Sequence, residues 1–139
     1  MIKRDETNRV VFHHSLAHKS DVEEIRSWHL ERGFEDIGYH FVILKTGNTE
    51  SGRDIKMVGA HAAGKNADSI GICFEGDFRI ETATERQYDA ATSLYHCLCR
   101  AYGKNLSIEF HRESTDENPC PGIGLDRGLL INSLSNGGI

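Results

Sequence analysis

The run Ser69-Ile-Gly-Ile-Cys-Phe-Glu75 constrains the fold more than any other part of the chain. It is almost unbroken apolar sequence, without the polar alternation of a strand that has one wet face. It therefore reads as a core strand at the centre of a sheet covered on both sides. Such a sheet needs helices as its covers, and the chain contains patterns for them. Ser20-Asp21-Val22-Glu23 has the form of a capping box, and Val22, Ile25 and Trp28, with His29 alongside, follow at helical spacing until Gly33. Thr84-Glu85-Arg86-Gln87 opens a second box, and the stripe Ala91, Leu94, Tyr95, Leu98, Ala101 and Tyr102 continues to Gly103. Asp126 to Leu134 reads as a short closing helix.

Further strands are expected at Arg9 to His13, Tyr39 to Lys45 and Leu106 to Phe110, with a weaker candidate at Met57 to His61. Thr46-Gly47-Asn48 supplies a turn that suits a hairpin or a short connection. Strands alternating with helices imply an α/β fold with a central mixed β-sheet flanked by helices. A length of 139 residues suits a single domain, taken as 1–139.

Bulk properties exclude some functions. A formal charge of -5 with no Lys/Arg block argues against nucleic acid as the main partner, since phosphate binding needs clustered basic groups. No apolar run approaches the roughly 20 residues that span a bilayer, so no membrane insertion is expected. The start, MIKRDETNRVVF, lacks the apolar stretch of a secretory signal, which gives the expectation of synthesis in the cytoplasm without a signal peptide. Four cysteines, Cys73, Cys97, Cys99 and Cys120, do not form a disulfide-framework pattern in a chain of this size.

His13 follows RVVF, His111 follows LSIEF, and Cys120 lies beyond a polar loop. Two imidazoles and a thiolate suit a catalytic zinc, which takes three protein ligands and keeps one position open. Strand ends are also where α/β sheets place ligands. Spacing alone does not select this reading, because scattered His and Cys are commonly surface histidines and core cysteines.

The segments FHHS, GYHFVI, GAHAAGKNADSIGICFEGDF and HRESTDENPCPG occur in the order found in the zinc N-acetylmuramoyl-L-alanine amidases, a family that includes phage endolysins and peptidoglycan recognition proteins. The chain resembles that family from about Val10 to Gly122. The resemblance implies hydrolysis of bacterial peptidoglycan at the amide between N-acetylmuramic acid and the stem L-alanine. It also implies Zn2+ held by His13, His111 and Cys120. His14 stands beside the first ligand, and composition does not decide between the two.

Tyr39, in GYHF, matches the family tyrosine that orients the reactive water or moves its proton. The family often has lysine or threonine two positions before the last ligand to stabilise the oxyanion, where this chain has Asn118. A neutral amide donates a hydrogen bond but brings no charge. His61 and Asn66 resemble the family's cleft-lining, substrate-binding segment, and Asn66 reads equally well as a turn-stabilising side chain. Arg53 reads as a structural or surface arginine, and His18, His29, His40 and His96 receive no chemical role. A monomer acting on peptidoglycan after release from the cell is the expected mode. Two other readings remain: a peptidoglycan-binding module without catalysis, against which the retained Cys120 counts, and a zinc hydrolase of another amide.

Overall fold

The computed structural model of the chain describes residues 1–113 and 116–136, and Ser114 and Thr115 of the polar loop lie outside the described residues. A mixed five-stranded sheet forms its centre. The strands are β1 (Arg9–His14), β2 (Phe41–Ile43), β3 (Thr49–Ser51), β4 (Ser69–Phe74) and β5 (Ser107–Phe110), ordered β3-β2-β4-β1-β5. Only the β2–β3 pair is antiparallel; β2, β4, β1 and β5 run parallel. The helices among the described residues are α1 (Val22–Glu31), α2 (Glu85–Tyr102) and α3 (Arg127–Asn136), with a short 3-10 turn at Asn66–Asp68 before β4.

All six residues of β4 are buried, as a central parallel strand requires. Strand alternation divides the core between the faces of the sheet. Val10, Phe12, Ile70, Ile72 and Phe74 pack with Ala91, Tyr95 and Leu98 of α2 and with Leu130 and Leu134 of α3. Cys73 and Val42 face the other way and join Val22 and Ile25 of α1 and Ile37. Each fully buried large apolar side chain contributes roughly 1.5–3 kcal/mol, so a core of this extent outweighs any single polar contact.

Local signals explain most element boundaries. At α2 the Thr84 hydroxyl accepts from the Gln87 amide while the Gln87 side chain accepts from the Thr84 amide, and Gly103 ends the helix in the left-handed region at φ 66°. The expected cap of α1 is displaced by one residue. Asp21, not Ser20, caps the helix by accepting from the Glu24 amide at 2.9 Å. Ser20 is buried instead: its amide donates to Glu75 and its hydroxyl to Ser15.

Two strand expectations are also corrected. Tyr39 to Lys45 contributes only three ladder residues, because the Leu44 amide turns to the Asn48 carbonyl and Gly47, at φ 92°, reverses the chain into β3. Met57 to His61 forms no strand: Met57 makes one isolated bridge to Lys3, and the amide of Ala60 bonds to Gly38. Among the described residues no helix is long and apolar enough to cross a membrane.

Candidate metal centre and cleft

His13 sits near the carboxyl end of β1, 1% exposed, opposite Cys73 of β4. The His111 amide donates to the Phe12 carbonyl at 3.1 Å, so the pairing of β5 with β1 extends one residue beyond the strand. This places the His111 ring beside that of His13, with centroids 4.7 Å apart. The polar loop then folds back: the Arg112 amide donates to the Cys120 carbonyl at 2.8 Å. Arg127, from the first turn of α3, donates to the carbonyls of both Arg112 and Pro121 and lies over the Phe110 ring. These contacts close the loop on itself and set the Cys120 thiol 4.0 Å from His13 Nδ1.

The ligand-capable atoms of His13, His111 and Cys120 all lie within 4.8 Å of one another. Tetrahedral zinc with Zn–N near 2.0–2.1 Å and Zn–S near 2.3 Å needs donor separations on the order of 3.5 Å, so closure requires movements of about 1 Å or less. The donor set and its spacing fit zinc. Burial first, then the neighbouring His61 and His111 imidazoles, holds His13 well below the ordinary imidazole range. His111 is lowered by burial and then by Arg112 and Lys65. Both rings are thus kept neutral, the form in which imidazole binds metal. Burial pushes the Cys120 thiol up, opposed by the His14 backbone, Arg112 and Arg127.

The tandem histidines separate by strand alternation. His14 points to the opposite face, where its ring stacks on Phe78 and Nδ1 accepts from the Phe78 amide at 3.1 Å. It is not part of the three-donor cluster.

The cluster opens on a cleft of about 640 Å³ whose lining includes Tyr39, His61, Asn66, Asn118, Trp28 and Arg112. The Tyr39 ring lies 4.9 Å from that of His13 and 5.4 Å from that of His29. Burial, followed by the thiols of Cys73 and Cys120, keeps its hydroxyl protonated well above the ordinary phenol range. Asn118 is exposed at the cleft.

His61 and Asn66 have different surroundings from those expected of free substrate-binding groups. Both nitrogens of His61 are engaged, Nδ1 with His13 Nε2 at 2.8 Å and Nε2 with Ser69 Oγ at 3.0 Å. The Asn66 carbonyl oxygen accepts from the amides of His61 and Ala62, both at 2.9 Å, which is the turn-stabilising role. Arg53 is buried and donates to the carbonyls of Ile37, Val58 and Asp36, a structural arginine.

Sequence reasoning missed three contributors. Arg127 lies past the recognised motifs and clamps the loop. His29, although on α1 as expected, is buried, accepts from the Gly38 amide and packs against Tyr39. Leu16, 53% exposed at the cleft with a positive φ of 64°, had no motif to mark it.

The fold and this cluster define an α/β protein with a three-donor, metal-capable centre at the carboxyl ends of the parallel strands of a mixed sheet. The chain belongs to the N-acetylmuramoyl-L-alanine amidase family, whose model matches residues 3–123. It is 47% identical over 137 residues to an endolysin of Enterobacteria phage T3, covering 92% of this chain and 89% of that one. The solved endolysin amidase LysCS from Clostridium intestinale superposes with a TM-score of 0.85 at 32% identity, covering 94% of this chain and 84% of that one. Drosophila PGRP-LB, a peptidoglycan recognition protein, superposes at a TM-score of 0.77 with 29% identity, covering 98% and 84%.

Proposed function

We propose that this chain is a zinc-dependent N-acetylmuramoyl-L-alanine amidase of the endolysin kind. It hydrolyses the amide between N-acetylmuramic acid and the stem L-alanine of bacterial peptidoglycan, working as a single catalytic domain over 1–139 and as a monomer. The observation that carries this reading is the convergence of His13, His111 and Cys120 at the floor of a cleft that also presents Tyr39. Family membership and the endolysin relatives support peptidoglycan as substrate.

Zinc held by His13, His111 and Cys120 would polarise the scissile carbonyl and lower the pKa of water toward about 7. The remaining work falls to the chain. Tyr39, held protonated and braced by His29, orients the attacking water and relays the proton that water loses to the departing amine nitrogen, so that its hydroxyl ends the cycle protonated as it began. Asn118 donates to the carbonyl oxygen as negative charge develops on it, with less electrostatic gain than a lysine would give. The cleft walls hold the glycan and stem peptide in register over the centre, converting attack by water into a positioned event.

The alternative of binding without cleavage loses support from the retained thiol and its place in the cluster. Digestion of purified sacculi tests the reading. New alanine amino termini on released peptides, abolished by a chelator and restored by zinc, are expected; new reducing sugar ends, or no release at all, would overturn it.

A further inference from the structure

We propose that His61 and Ser69 form a hydrogen-bonded relay that sets the tautomer of His13, leaving its Nδ1 lone pair free for a metal. The inference rests on the reading of His13 as a metal ligand and assigns His61 a positioning role in place of direct contact with substrate.

The two nitrogens of the His13 ring have different neighbours. Nδ1 faces the cluster, 4.0 Å from the Cys120 thiol, and Nε2 faces inward, 2.8 Å from His61 Nδ1. The far nitrogen of His61 is 3.0 Å from the hydroxyl of Ser69, which is wholly buried. A neutral imidazole has one donor and one acceptor, so the line Ser69–His61–His13 can run in two directions. With Ser69 donating, the proton of His13 is left on Nδ1 and blocks the cluster. With His13 Nε2–H donating to His61 Nδ1, and His61 Nε2–H donating to Ser69 Oγ, the Nδ1 lone pair is free. Coordination at Nδ1 demands the second arrangement, and a hydroxyl able to accept is present at the end of the line.

The surroundings leave the His61 ring little freedom. A Cβ at Gly71 would lie 2.6 Å from its Cγ and Cδ2, and one at Gly59 would lie 2.7 Å from its Cδ2. Asn66 pins the backbone of His61 from the other side by accepting its amide. Gly59, His61, Asn66, Ser69 and Gly71 belong to one stretch, GAHAAGKNADSIG, so a single segment builds the relay and its housing. Residues that orient a metal-binding imidazole in this way typically change metal affinity by about 10–100-fold when removed.

The test measures zinc affinity by competition with a chromophoric chelator and records the visible spectrum of the cobalt-substituted protein, with circular dichroism to verify folding. His61→Leu fills similar space without an acceptor; His61→Asn restores an acceptor near the position of Nδ1. His61→Leu is expected to weaken zinc binding roughly 10–100-fold and to alter the cobalt spectrum, while His61→Asn recovers much of the loss. Ser69→Ala, the milder change if the leucine variant does not fold, should weaken zinc binding in the same direction. Zinc held as tightly by His61→Leu or Ser69→Ala as by the wild type overturns the relay, as does equal weakening in the Leu and Asn variants. A wild-type protein that takes up no zinc overturns the metal reading beneath it as well.

Discussion

Tyr39 and Asn118 are the residues on which the proposed chemistry turns, and each can be isolated by one substitution. Tyr39 packs by its ring against His13 and His29, so Tyr39→Phe keeps the packing and deletes only the hydroxyl. Turnover should fall on the order of 10²-fold with zinc content and thermal midpoint unchanged. Wild-type turnover on sacculi would reduce Tyr39 to a packing residue. Asn118 is exposed, so exchanging it should leave the fold intact. Asn118→Lys is expected to raise kcat by bringing a charge to the developing oxyanion, and Asn118→Ala to lower kcat more than it raises KM. Steady-state kinetics unaltered in both variants would remove Asn118 from the mechanism. The residue types at both positions were legible from the chain alone. Their placement at one cleft was not, because Tyr39 precedes β2 while Asn118 comes from a loop beyond β5.

Among the elements, α2 is attached to the sheet by a residue that also begins the helix. Gln87 is fully buried; its side-chain oxygen accepts from the Thr84 amide and its nitrogen donates to the carbonyls of Ile43 and Glu75, at the ends of β2 and β4. The capping box announced this helix in the sequence, but the strand contacts had no sequence signal, since they depend on how far β2 and β4 run before turning away. Thr84→Ala removes a cap and should cost about 1 kcal/mol. Gln87→Ala also strands the Glu75 carbonyl and takes one of two donors from the Ile43 carbonyl, which keeps the Glu75 amide, so a loss of roughly 2–3 kcal/mol is expected in urea denaturation. Equal losses in the two variants would show that the sheet contacts add nothing. The displaced cap of α1 follows the same logic: Glu75 takes the Ser20 amide, a long-range contact, and the local signal passes to Asp21.

At the scale of the whole molecule, the buried imidazoles make the metal-free protein acid-sensitive. Burial lowers His61 to about 3, and burial foremost, with Arg4 and Arg53 adding to it, lowers His40 to about 4. The His40 ring accepts from the Gly71 amide and bonds to the Met57 carbonyl, which requires the neutral form. Because these folded-state values lie below the ordinary 6.5, the unfolded chain takes up protons first as pH falls. Stability is therefore full above about pH 7 and declines toward pH 4, by about 2 kcal/mol at pH 5 for one such group. Urea midpoints of chelator-treated protein at pH 7.5 and pH 5 check this, and equal midpoints would contradict it. The chain by itself determined the kinds and order of the principal elements, through apolar periodicity and capping residues that act over a few positions. It also held the three donors of the candidate metal centre, at strand ends and in a loop. Tertiary structure alone decided that His13 and not His14 joins the three-donor cluster, that both nitrogens of His61 are occupied, and that Arg127 closes the Cys120 loop. Which face of a strand is covered, and which distant groups meet a buried polar atom, depends on how the sheet and helices pack, and no short stretch of sequence contains that information.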